Sequence, residues 1–248
     1  MLKICEQNNN KKTLDELAIK HGTDKSTLGH GYTLIYDEYF FNNRDKISKI
    51  LEIGYQDGCS ARMWLEYFPN AEIHFMEINK CVSNDERLFI HQGNVSDLSF
   101  LNSTIDKIGE DFDLIIDDGS HHCSDQIPPF LRMFPILKNN GMYVVEDLTF
   151  SHVNEKSNSF IEKAKSYIDD INVHYTSFQW LDHCSKDKIL MRIYDQNKNN
   201  LSYFDIYLHS ISFYPGIVFF TKKIPELFFE KQMIDQCKNF QSKKRSSN

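Results

Sequence analysis

No two of the six cysteines stand in a C-x-x-C pair, and their spacing fits no zinc template. In a 248-residue chain that can bury a full core without cross-links, such cysteines are expected to be reduced thiols, which points to the cytoplasm. No apolar run approaches the ~20 residues that a membrane helix needs. The opening MLKICEQNNNKK has no apolar segment of the kind a secretory signal carries. Positive charge is outnumbered: 28 Lys and Arg stand against 35 Asp and Glu for a net charge of −7, and the one basic cluster is Lys243, Lys244 and Arg245 in the tail, expected to be a solvated terminus. A general nucleic-acid surface is therefore not indicated. The G-x-G-x-x-G turn of dinucleotide sites is absent as well.

What is present is a rhythm. Residues 14–20 have helical spacing behind Thr13 as N-cap, and 32–41 place Tyr32, Tyr36, Tyr39 and Phe40 on a helical repeat. From residue 49 short apolar runs alternate with amphipathic stretches. Strands are predicted at 49–54, 72–78, 88–92, 112–117 and 141–146. Helices are predicted at 59–67, 98–108, within 125–137 around Pro128 and Pro129, and at 160–168. Two further strands, 206–213 and 217–222, flank Tyr214-Pro215-Gly216, a hairpin signal.

Alternating strands and helices give a parallel, doubly wound sheet, to which the hairpin adds an antiparallel strand. That layout is similar to the class I methyltransferases: an α/β, Rossmann-like, seven-stranded sheet with a C-terminal antiparallel hairpin, here with a short helical N-terminal extension. The organisation expected is a helical segment or lid at 1–45, the methyltransferase domain at 46–225, and a helix with a basic tail at 226–248.

In such sheets ligands sit beyond the carboxyl ends of the strands. The first strand runs into residues 50–60, ILEIGYQDGCS, where Gly54 and Gly58 permit a tight turn and a close backbone approach. Glu52 and Asp57 bring negative charge there. They would repel a pyrophosphate but suit the sulfonium and ammonium of S-adenosylmethionine (SAM). Glu77 closes the second strand, about 20 residues after the turn, where a carboxylate accepts ribose hydroxyls. The third strand ends in GNVSD at 93–97, the usual place of the adenine.

Strand four ends in Asp117-Asp118-Gly119-Ser120-His121-His122 and strand five in Glu146-Asp147. In this strand order the two are neighbours, so four carboxylates gather beside the cofactor. Such a group needs a cation or protons. Oxygen donors favour Mg²⁺ or Mn²⁺. His121, three residues after Asp118, can face the same pocket and take a proton from a hydroxyl. His122 is expected to be exposed or structural.

These residues together resemble the metal-dependent sugar O-methyltransferases of the mycinamicin and macrocin (macrolide sugar) type. The resemblance runs through HGTDKSTLGHGYTLIYDEYF, LEIGYQDGCSARMW, IIDDGSHHCSDQ, VVEDL and ISFYPGIVFF, over most of residues 13–223. It implies Mg²⁺ (or Mn²⁺) held by Asp118, Glu146 and Asp147, with His121 as general base. It implies SAM contacts from Glu52, Gly54, Asp57, Gly58, Ser60, Glu77, Asn94, Val95 and Asp117. The segment around Lys25, His30 and Tyr32 would cover the site or contact substrate, or else pack at a subunit interface, and a homo-oligomer is implied. Glu77 and Asn94 stand where the family usually has Asp.

The activity implied is methylation of a sugar hydroxyl, on a nucleotide-linked sugar, a polysaccharide or a glycosylated natural product. Two alternatives stay open: a catechol-type or other small-molecule O-methyltransferase, and a SAM-binding protein without turnover.

Overall fold

The structure is a computed structural model and describes residues 11–174 and 202–223. The segment predicted at 226–248, with its basic cluster, lies outside the described residues. The chain divides into two compact units: Met1–Ile108 with Ile116–Gly119, and Gly109–Ile115 with Ser120–Asn248.

The first unit opens with α1 (Leu14–His21), whose Thr13 and Glu16 form a reciprocal capping box. Gly22 ends the helix in the left-handed conformation. The loop that follows is lashed back onto α1 by Asp15, whose carboxylate accepts from the Thr27 backbone N–H and from the Thr27 and Thr33 hydroxyls. Helix α2 (Tyr32–Phe40) then packs on α1, and α1 on α3 (Cys59–Tyr67). The seam is aromatic: Tyr36, Trp64, Tyr67 and Phe68 are fully buried, with Tyr36 edge-on to Trp64 and Trp64 stacked on Phe68.

Behind these helices β1 (Lys49–Ile53), β2 (Glu72–Glu77) and β3 (Leu88–Gln92) pair in parallel, with Ile53 opposite Met76 and Glu77 opposite Gln92. Helix α4 (Leu98–Ile108) follows β3. Residues 50–53 of β1 are buried one after another, as in a strand covered on both faces, and this run includes the acid Glu52.

Strand β2 also carries an acid-sensitive pair. His74 Nδ1 lies 3.1 Å from His91 Nε2 on β3, with the rings nearly parallel. Burial, then His91 and Lys49, pull the His74 imidazole down to about 4 from an ordinary 6.5. Burial, then Lys107, lower His91. Both rings therefore hold fewer protons folded than unfolded. Stability is complete above pH 6.5 and is lost as pH falls from there toward 4. The unfolding free energy from urea titrations should drop between pH 7 and pH 5, by on the order of 1 kcal/mol or more, and His74→Phe should flatten that slope. An unchanged slope in the variant would remove the pair as its cause.

Strand β4 (Phe112–Asp117) contributes to both units. In the second unit, α5 (Cys123–Met133) begins two residues before the predicted range 125–137 and ends within it, with Pro128 and Pro129 inside the helix. Its first turn is secured without them: His122 O accepts from the Asp125 and Gln126 N–H groups, and Cys123 N–H donates to Glu155. Strand β5 (Leu137–Val145) starts four residues before the predicted 141.

Helix α6 (Leu148–Glu155) was not predicted, and α7 (Phe160–His174) extends beyond the predicted 160–168. The predicted strand 206–213 is divided. Residues Tyr203–Tyr207 form helix α8, and β6 (Leu208–Tyr214) follows. Ser202 and Asp205 form a capping box, a helix-start signal that outweighs the apolar run. Strand β7 (Ile217–Lys222) pairs antiparallel with both β5 and β6, and Gly216 takes a positive φ in the turn between β6 and β7. Phe130 sits among Tyr143, Phe160, Phe204 and Phe220 at this unit's centre.

The sheet order is β3-β2-β1-β4-β5-β7-β6, with β7 the antiparallel strand inserted between β5 and β6. The seven-stranded prediction is met. No described helix is long and apolar enough to cross a membrane.

Candidate functional site

The first unit carries the turn after β1. Gly54 has φ +96°, and a Cβ there would stand 2.3 Å from the backbone oxygen of Asp118. The glycine is thus required by the approach of the β4 end, which is fixed by Asp118 N–H donating to Ile53 O at 3.1 Å. Gly58 (φ +68°) precedes α3 as its N-cap, and the atoms nearest to a Cβ there belong to the Tyr55 side chain. Gln56 and Asp57, at the crest, are exposed.

Glu77 organises this turn. Its Oε2 accepts from the N–H groups of Tyr55 (2.9 Å) and Gln56 (3.3 Å), and its Oε1 from the Asn79 backbone (2.8 Å) and side chain. Burial pushes its carboxyl up, but these hydrogen bonds outweigh that and hold it below the ordinary carboxylate value. Gly93 N–H donates to Glu77 O, and Asn94 folds the following bend by accepting from Ser96 N–H. Asn94 is exposed and Val95 half-buried.

Glu52 has a different setting from Asp57. It is fully buried, accepts from Trp64 Nε1 at 2.8 Å and from Ser60, and its Oε1 lies 3.3 Å from Lys25 Nζ. Burial pushes its carboxyl up to about 7, against the downward pull of the Lys25 ammonium. Lys25 is 1% exposed and also reaches Asp118 Oδ2 at 2.5 Å. The structure thus brings Lys25, Glu52 and Asp118 together. Asp117 beside them is buried, with Gly119 N–H directed at its Oδ1. His30 is exposed and meets the ring of buried Tyr32, while Lys25 reaches into the site residues Glu52 and Asp118.

The second unit carries the histidines. His121 Nε2 lies 3.6 Å from Asp147 Oδ2. Both residues hold positive φ, +61° and +53°, and Asp147 is the N-cap of α6. Such backbone strain at two side chains of one pair is typical of functional turns. Glu146, before it, is buried. The His121 Nδ1 is buried without a hydrogen bond, and the ring meets Phe150 edge-on.

His122 is exposed and structural, as expected: its Nδ1 lies 3.2 Å from Glu155 Oε1, while Glu155 Oε2 receives Cys123 N–H. Glu155 was missed in the sequence because α6 was. Its carboxylate ties the start of α5 to the end of α6 and so frames the His121 turn.

The sheet order and the inserted antiparallel β7 define the class I methyltransferase fold. No family model matches the chain. The chain is 36% identical over 143 residues to 8-demethyl-8-(2-methoxy-alpha-L-rhamnosyl)-tetracenomycin-C 3'-O-methyltransferase of Streptomyces olivaceus, covering 54% of this chain and 36% of that protein. It is 34% identical over 146 residues to mycinamicin VI 2''-O-methyltransferase of Micromonospora griseorubida, covering 56% of this chain and 36% of that protein. Among solved structures it matches the MycE methyltransferase of the mycinamycin biosynthetic pathway in complex with Mg and SAH. That match has TM-score 0.72 and 26% identity, over 92% of this chain and 60% of that one.

The homologues are therefore sugar O-methyltransferases, and the resemblance read from the motifs is borne out. The matched segment is well under half the length of these curated relatives.

Proposed function

We propose that this chain catalyses methyl transfer from SAM to a sugar hydroxyl with the help of Mg²⁺ or Mn²⁺. The observation that carries the proposal is the pairing of His121 with Asp147 at 3.6 Å, directly after the buried Glu146. A solved relative holds Mg and SAH, which supports extending both to this chain.

The residues present fit a hard cation. Asp118 and Asp147 present carboxylates that are partly open, 23% and 22% exposed, at the ends of β4 and β5, and oxygen donors suit such ions. Asp118, Glu146 and Asp147 would hold the ion. Only two residues separate Asp118 from His121, so chain connectivity alone keeps the base near the first ligand. When bound, the ion would stabilise the alkoxide of a coordinated hydroxyl.

His121 Nε2 takes the hydroxyl proton, and the adjacent Asp147 carboxylate stabilises the imidazolium that results. The acceptor oxygen forms its bond to the methyl carbon as the sulfur–carbon bond breaks. The sulfonium leaves as a neutral thioether. The turn at Gly54–Gly58, with Asp57, Ser60, Glu77, Asn94, Val95 and Asp117, would hold the cofactor. Glu52 would act from beneath, through Ser60 and the turn it supports. A sugar on a glycosylated natural product is the favoured acceptor, because that is what the relatives are named for.

Methyl-labelled SAM incubated with glycosylated acceptors and nucleotide sugars tests this. Label should appear on a sugar hydroxyl, fall at least about 100-fold in excess EDTA, and return with Mg²⁺ or Mn²⁺. Undiminished transfer in chelator would remove the metal role, and label found only on catechols would remove the sugar.

A further inference from the structure

Lys25 departs from what a surface loop usually contains. Its loop is polar, yet its side chain is 1% exposed, and it ends between the carboxylates of Glu52 and Asp118. Taking an ammonium out of water costs several kcal/mol unless it is paired, and a methionine of similar shape would fill the space without that cost. Two carboxylates offset the burial, and the loop is held in place independently of them. Asp15 ties down Thr27 and Thr33, and Lys25 O accepts from Thr33 N–H. The ammonium is therefore delivered from a rigid support.

Asp118 has its backbone fixed by Ile53 and pressed against Gly54, so side-chain rotation is its main freedom. Lys25 Nζ removes that freedom by engaging Oδ2. The Asp118 side chain is still 23% exposed with that contact made, so part of its carboxylate stays open.

We infer that Lys25 is a positioning residue for Asp118: its buried ammonium, braced by Glu52, sets the orientation in which Asp118 offers an oxygen to the divalent ion. This rests on Asp118 being a ligand, as proposed above. It makes the N-terminal loop part of the site's machinery, through a contact to a metal ligand rather than to substrate.

A charge-matched substitution isolates orientation from field. Lys25→Met alone would change the local charge. At pH 8, above the value to which burial raises Glu52, Lys25→Met combined with Glu52→Gln removes one charge of each sign and keeps an aspartate at 118. Mn²⁺ binding to the full chain, read by electron paramagnetic resonance of the free ion without cofactor or turnover, is the measurement.

The wild-type chain should bind Mn²⁺, and Asp118→Ala should abolish or greatly weaken that binding. The double variant should weaken it by about 10-fold or more, the range known for outer-shell partners of metal ligands. Lys25→Gln with Glu52→Gln repeats the comparison with a polar side chain at 25, in case the methionine variant does not fold. It should weaken binding similarly, because the shorter amide cannot reach Asp118. Both folded variants binding Mn²⁺ within about two-fold of wild type would overturn the inference and leave the metal reading intact. A wild-type chain that binds no Mn²⁺ would overturn both.

Discussion

Replacing His121 with Asn is expected to lower kcat by about 10²–10⁴-fold, the usual contribution of a positioned acid or base, while SAM affinity stays within a few-fold of wild type. Asn rather than Ala is the informative replacement, because position 121 holds φ +61°. Asn tolerates that conformation, and Ala would add backbone strain to the loss of the imidazole. Asn also cannot take up a proton. A rate loss with unchanged SAM binding by calorimetry assigns the defect to proton removal. A comparable loss of SAM binding would show that the turn, not the base, had failed. A variant with near wild-type kcat would end the role of His121. The prediction is independent of acceptor identity, because any hydroxyl must lose its proton.

The second large effect concerns the fold beneath the cofactor turn. Gly54→Ala should cost on the order of 3 kcal/mol or more, combining left-handed strain with overpacking against an immovable neighbour. The added Cβ meets the Asp118 backbone oxygen at 2.3 Å, and neither β1 nor the β4 end can retreat without breaking the Asp118–Ile53 hydrogen bond. Gly58→Ala is the matched control. Its φ of +68° lies in the ordinary left-handed region, and the nearest atoms the Cβ meets are those of the movable Tyr55 side chain. It should cost about 1–2 kcal/mol. Urea denaturation measures both. Equal costs at the two positions would show that the close approach to Asp118 carries no weight.

Much of this was legible in residue order. Strands 88–92 and 112–117 and helices 59–67 and 98–108 match the structure end to end, because their periodicity is uninterrupted and their ends are marked. Helix α6 escaped because it begins directly on the acidic pair Glu146-Asp147 at the end of β5. Asp147 is its N-cap in a left-handed conformation, without a capping hydrogen bond from its side chain. Helix α8 escaped because an apolar stretch masked the Ser202–Asp205 capping box.

The site shows the same division. Gly54, Glu77 and the Asp117–His121 turn announce themselves by residue type and place. The destination of Lys25 does not, since pairing 93 positions along the chain leaves no local trace. Nor does sequence separate Glu52 from Asp57. Both are acids of one turn, yet one is sealed under Trp64 and the other stands in solvent. Strand alternation and distance from the crest decide that.

The Glu77 carboxylate has one further consequence. Four N–H donors, three from the backbone and one from the Asn79 amide, already converge on it within residues 55–79. A ligand arriving at the turn therefore meets a receptor whose shape is preset. The ordering entropy that a floppy loop would charge against affinity has been met by folding itself. Under the proposed function that ligand is SAM, and a preset turn would let it be exchanged for its demethylated product without refolding the loop.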